Sequence, residues 1–147
     1  MFTVKKSLGK HFLKVEKIVA KIITALKEDD FKNLLEVGPG CGALTKHLIK
    51  IPGIHFKAVE LDEDKINYLQ KQFPTLSGDI FQQSFLTIEQ PFDESFTVIS
   101  NFSYNISIQI LFKVLEWMGY VPVVIGLFQK EVVERSEAKN ECKLYGW

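Results

Sequence analysis

Cysteine is nearly absent: Cys41 and Cys142 are the only two in 147 residues. They form no C-x-x-C pair, so neither a zinc site of the usual spacing nor a dense disulfide framework organises the chain. Both are expected to be reduced thiols of a cytoplasmic protein, with Cys41 filling space inside a turn. His47 and His55 have no sequence partner that points to a metal, and no metal is expected. No apolar run approaches the roughly 20 residues of a membrane span. The lysine-bearing N-terminus has no apolar core ahead of a cleavage site, so no export signal is read. Repeats and low-complexity tracts are also missing.

What is present is a globular composition, 46% hydrophobic and 12% aromatic, in a length that suits one domain, residues 1–147, with a substantial core. The net charge is zero but unevenly spread. Residues 1–27 hold seven lysines (Lys5, Lys6, Lys10, Lys14, Lys17, Lys21 and Lys27) against one acid, Glu16. That asymmetry suggests a basic face for a polyanion on an otherwise acidic protein. Taken alone, a solvated helix face explains it better.

The chain is organised around Leu34-Leu35-Glu36-Val37-Gly38-Pro39-Gly40-Cys41-Gly42-Ala43-Leu44-Thr45. This reads as a buried strand, a glycine turn and a helix start, with helix amides pointing into the turn. Glycine at positions 38, 40 and 42 lets the backbone turn sharply and lets a ligand come close. Glu60 closes a second apolar run and is placed to accept hydrogen bonds from a ribose. The spacing is G-x-G-x-G rather than the dinucleotide G-x-G-x-x-G/A, although Ala43 offers a partial match. Glu36, two residues before the first glycine, would repel a pyrophosphate and suits an ammonium group. S-adenosylmethionine carries an ammonium and a ribose and has no phosphate, so it is the expected cofactor.

Periodicity supplies the frame. Met1 to Leu13 reads as a basic arm. A helix follows with Val15, Ile18, Val19, Ile22, Ile23 and Leu26 on one face and lysines on the other. Strands are expected at Leu34–Val37, Phe56–Glu60, within Leu76–Phe81, at Phe96–Ser100 and at Val121–Leu127. Helices are expected at about Ala43–Lys50, after a capping Asp62 up to Pro74, and after Ser107 with Ile108, Leu111, Phe112, Leu115 and Met118 on one face. A charged helical stretch, Gln129–Ala138, comes last. Alternating strands and helices predict an α/β fold: a parallel sheet of about five strands with helices on both faces and its ligand beyond the carboxyl ends of the strands.

Asn101-Phe102-Ser103-Tyr104 follows the fourth strand and belongs to the same edge. An exocyclic amine of a nucleobase is a poor nucleophile because its lone pair is conjugated with the ring. Acceptors that hold its protons turn that lone pair towards a methyl donor and stabilise the positive charge that develops. The Asn101 side-chain oxygen and the Phe102 carbonyl can accept those bonds, and Tyr104 can stack on the base. Read alone, the same residues could equally be a helix cap and a core tyrosine.

Together these motifs resemble the N-terminal catalytic domain of the ribosomal RNA adenine dimethyltransferases over nearly the whole chain. The resemblance rests on Lys6-Ser7-Leu8-Gly9-Lys10-His11-Phe12-Leu13, the glycine turn, Val59-Glu60-Leu61-Asp62, Asn101–Ser107 and Phe128–Arg135. It implies a Rossmann-like methyltransferase fold lacking the family's last strands and its C-terminal helical domain. It implies cofactor contacts at His11, Leu13, Gly38, Glu60 and Asn101, beside Glu36 and Gly40 of the turn. It also implies dimethylation of the exocyclic amine of adenosines in small-subunit ribosomal RNA, with Lys5, Lys6 and Lys10 on RNA phosphates. Serine stands at 103, where the family usually has proline, and Ser84 aligns where an aspartate meets the cofactor adenine. Asp79 would reach that position only by a five-residue shift. A catalytically weak or inactive RNA-binding or ribosome-assembly relative is the alternative. Without the family's later strands, Val121–Leu127 would become an apolar sheet edge through which chains self-associate.

Overall fold

Short runs of β-branched and aliphatic residues pair side by side into one parallel sheet, and the segments between them return over its faces. The computed structural model describes residues 5–28, 30–100, 104–117, 119–125 and 143–145, with side chains described except at 5–15, 104–108 and 143–145. The strands are β1 (Asn33–Val37), β2 (His55–Glu60), β3 (Ile80–Gln82), β4 (Thr97–Ile99), β5 (Val123–Ile125) and β6 (Lys143–Tyr145). Their order is β3-β2-β1-β4-β5-β6, and every neighbouring pair is parallel. The helices are α1 (Lys5–Lys27), α2 (Thr45–Leu48), α3 (Glu63–Gln72) and α4 (Tyr104–Glu116).

Every residue of β1, β4 and β5 is buried, as strands covered on both faces must be. Alternation divides them between two cores. Leu34, Phe56, Ala58, Ile99, Val123 and Ile125 pack with Val19, Ile22 and Leu26 of α1. Leu35, Val37, Val59, Val98 and Val124 pack with Phe85, Phe96, Ile110, Val114 and Trp117 on the other side. On that second side Lys57 ties down the loop between β3 and β4. Its ammonium donates to the Pro91 carbonyl at 2.6 Å and lies 4.5 Å from the centre of the Phe92 ring, a cation–π contact.

The expected five strands and their doubly wound order are present, with three corrections. The basic arm is not an arm: the backbone is helical from Lys5. The apolar face of α4 is rotated from the expected one. Ile110, Leu111, Val114 and Trp117 are buried while Phe112 is 65% exposed, because the indole of Trp117 sets the rotation by packing against Phe85 and Phe96. Finally, β5 is not an edge. Lys143–Tyr145 pairs with it residue for residue, so the strand expected to mediate self-association lies inside the sheet. The helical stretch expected at Gln129–Ala138 lies outside the described residues.

Candidate cofactor site

At the carboxyl end of β1 the ladder continues one residue, with the Gly38 amide donating to the Val59 carbonyl at 2.9 Å. The chain then turns through Gly38, Gly40 and Gly42, at φ of 63°, 59° and 85°, a region that L side chains occupy only with strain. The Gly42 amide closes the turn on the Pro39 carbonyl at 2.9 Å. The glycines differ in purpose. A Cβ on Gly42 would lie 2.8 Å from Phe73 Cε2, whereas a Cβ on Gly38 or Gly40 would meet nothing within 4 Å among the described residues. Gly42 lets the turn pack on the end of α3, and the described residues leave open space beside the other two. Cys41 is exposed, so it does not fill the turn as expected. The helix after the turn spans only Thr45–Leu48, so its dipole is far weaker than that of the longer helix expected there.

Two carboxylates flank the turn. Glu60, 8% exposed at the end of β2, accepts from the amides of Leu61 (2.9 Å), Asp62 (3.1 Å) and Gly40 (3.2 Å). The last bond joins the turn to the tip of β2. Glu36 is 2% exposed and accepts a 2.5 Å hydrogen bond from the Thr45 hydroxyl. Burial pushes the Glu36 carboxyl up to about 8; the Thr45 bond opposes this and the charge of Glu60 adds to it. The charged carboxylate expected at this strand tip is therefore a neutral acid at pH 7 until a cation approaches it.

Asp62 caps α3 as expected, accepting from the amides of Asp64 and Lys65 at 2.9 and 3.4 Å. Ser84 follows β3, whose last residue, Gln82, is level with Glu60, so it stands at the carboxyl edge. Its hydroxyl accepts from the Leu86 amide at 3.3 Å. Asp79 precedes β3 and its carbonyl accepts from the Ala58 amide, which puts it at the opposite end of the strand and removes it as the alternative to Ser84. Tyr104 opens α4, while Asn101 and Phe102 lie outside the described residues. His11, Leu13, Lys5, Lys6 and Lys10 belong to the backbone of α1.

Sequence reading missed Thr45 and Ser100. The buried Ser100 hydroxyl donates to the Val37 carbonyl and its amide to the Ile125 carbonyl, tying the carboxyl end of β4 to β1 and β5. The signal for Thr45 was its place as first residue of the helix after the glycine turn; Ser100 left none. A separate cleft lined by Asp30, Phe31, Asn33, Glu94 and Thr97 opens at the amino edge of the sheet, away from these groups.

The model of the ribosomal RNA adenine dimethylase family matches residues 1–146. The chain belongs to that family. It is 45% identical to ribosomal RNA small subunit methyltransferase A of Cytophaga hutchinsonii, covering 97% of this chain and 56% of the relative. Identity with the protein of the same name from Flavobacterium johnsoniae is 41%, over 97% of this chain and 55% of that one. A solved dimethyladenosine transferase from Plasmodium falciparum superposes with a TM-score of 0.64 at 25% identity, over 81% of this chain and 43% of its own. The chain thus spans about half the length of the curated relatives it matches. The Rossmann-like methyltransferase fold read from its sequence is the fold it has.

Proposed function

We propose that this chain is the cofactor- and adenosine-binding unit of an S-adenosylmethionine-dependent methyltransferase acting on the exocyclic amine of adenosines in small-subunit ribosomal RNA. The observation that carries the reading is the pair Glu36 and Glu60 on either side of an open glycine turn, with Glu60 bonded to the Gly40 amide. Both groups suit a cofactor with a cationic amino-acid end and a ribose. The open space beside Gly38 and Gly40 admits its chain.

In this reading Glu60 accepts the ribose hydroxyls. Its bond to Gly40, at 3.2 Å the longest of its three, is the one a hydroxyl displaces or shares. Glu36 meets the ammonium and gives up its proton as it does so. Ser84 stands where the adenine amine is received, and its hydroxyl accepts there without charge. His11 and Leu13, which lie on α1, are the remaining cofactor contacts of this reading. The cofactor, when bound, supplies a methyl on a sulfonium, a good leaving group. The protein's part is alignment and electrostatics: Asn101 and the Phe102 carbonyl hold the protons of the target amine, Tyr104 stacks on the base, and Ser100 anchors the strand end that carries the turn. A stacked or paired adenosine must first be taken out of its stack.

The test is transfer of a labelled methyl group to unmethylated small-subunit particles, followed by nucleoside analysis. Label in methylated adenosine supports the proposal. RNA binding with cofactor bound but no transfer supports the inactive RNA-binding relative instead.

A further inference from the structure

At the amino edge of the sheet, opposite the candidate cofactor site, a cleft of about 520 Å³ opens between the connection that follows α1 and the first residues of β4 and β5. Its size suits a small organic molecule. Phe31, Pro122 and Val123 give it apolar walls, and the exposed Asp30 and Glu94 stand at its rim with Lys32. Neither of those carboxylates has an ion pair or a hydrogen-bond partner among the described residues. Helix α1 ends at Lys27, shortly before Asp30, so the negative end of its dipole lies at the same edge.

Deeper in the cleft lies Thr97, only 3% exposed. Its backbone pairs with β1 on one side and β5 on the other. Alternation along β4 puts its side chain on the α1 face of the sheet, with Ile99 and Val123. Its hydroxyl has no hydrogen-bond partner among the described residues. Among those residues no fully enclosed side-chain oxygen or nitrogen lacks a partner. The hydroxyl therefore opens onto a void, and the cleft is the void that Thr97 lines. Asn33, 6% exposed, lines it too. Its side-chain nitrogen donates to the Ser95 carbonyl at 3.1 Å, and its side-chain oxygen has no partner among the described residues.

We propose that this cleft binds a small organic cation, an ammonium group on a short apolar body. Two carboxylates, a hydroxyl and an amide oxygen are its acceptors, a set that suits a ligand rich in N–H donors. Asp30 and Glu94 answer the charge, Thr97 and Asn33 accept further N–H bonds, and the carbon body lies against Phe31 and Pro122. A metal ion fits less well. The described residues hold no group of three His, Cys, Asp or Glu that could ligate one, and apolar walls cannot replace the oxygen shell of a hard cation. No residue of this site is shared with the candidate cofactor site.

The experiment titrates the 147-residue chain calorimetrically, at fixed ionic strength, with cadaverine as an aliphatic amine and phenethylamine as an aromatic one. The variants are Asp30→Asn, Glu94→Gln and Thr97→Val, with Asp64→Asn on α3 as the control. Saturable one-to-one binding of at least one amine is expected. Asp30→Asn or Glu94→Gln should weaken it roughly tenfold or more, as loss of a charge-assisted bond does. Thr97→Val should weaken it about two- to tenfold, as loss of a neutral one does, and the control should not change it. Thr97→Val should melt no lower than the wild type, because the hydroxyl it removes had no partner to lose. S-adenosylmethionine affinity should be the same in all four variants, so this site stands or falls apart from the proposed function. A folded chain that binds neither amine, or equal affinity in the wild type and the cleft variants, would overturn the proposal. So would magnesium ions displacing the amine at equal charge, which would mean diffuse screening of surface acids. Tighter binding of a capped lysine would assign the cleft to a partner's side chain and overturn the small ligand. A clearly lower melt of Thr97→Val would show that its hydroxyl serves the fold and overturn its part in the site.

Discussion

Glu36 links the site to pH. Its pKa of about 8 lies above the ordinary 4.5, so between those values the native state holds a proton that the unfolded chain has released. The stability from this group is complete below about 4.5 and is lost as pH rises through about 8. Glu36→Gln should remove that downward slope from thermal melts collected between those pH values. Binding of a cationic cofactor at pH 7 should release close to one proton, read by calorimetry in two buffers of different ionisation enthalpy, and Glu36→Gln should abolish the release. Binding without proton release would show that no cation meets this carboxyl. The glycines divide in the same way. Gly42→Ala should cost roughly 1–3 kcal/mol of stability, because its Cβ collides with the Phe73 ring at a strained φ. Gly40→Ala should cost only the strain of its φ of 59°, roughly 1–2 kcal/mol, without a collision, and should in addition weaken cofactor binding, since no described protein atom lies within 4 Å of its Cβ. Denaturant melts and cofactor titrations of both variants check the division. The glycines and both acids were legible because their spacing is local. The neutral state of Glu36 was not, because it depends on burial between two neighbouring strands and on a hydroxyl from the next element.

The elements of the sheet were legible wherever apolar runs were bounded by turns, as at Leu34–Val37 and Phe56–Glu60. Strand β6 was not, because Lys143–Tyr145 is three residues long and has no pattern of its own; it acquires its conformation by pairing with β5. The rotation of α4 was missed because Trp117 was left out of the apolar face, and its packing against Phe85 involves a loop partner distant in sequence. The corrected position of β5 changes the expectation for association. Ending the chain at Asn140 should uncover Val123-Val124-Ile125, an apolar edge without charge. Light scattering across a concentration series should then show mass growing with concentration beyond that of the 147-residue chain. An unchanged mass in a folded, shortened chain would mean that β6 is not what protects β5.

The whole molecule follows from its sheet. Parallel strands place every carboxyl end on one edge, and the order β3-β2-β1-β4-β5-β6 puts the reversal of winding at β1 and β4. A crevice is expected there, beside the glycine turn; Asn101 to Ser103, which follow β4, lie outside the described residues. The central claim is that Glu60 and the glycine turn hold S-adenosylmethionine. Calorimetric titration of the 147-residue chain and its Glu60→Ala variant tests it most directly. A hydrogen bond to a charged group contributes roughly 1.5–3 kcal/mol, so the expected result is saturable binding by the wild type that weakens tenfold or more in the variant, with the variant still folded. Equal affinity in the two folded proteins, or no binding by the wild type, would contradict the claim.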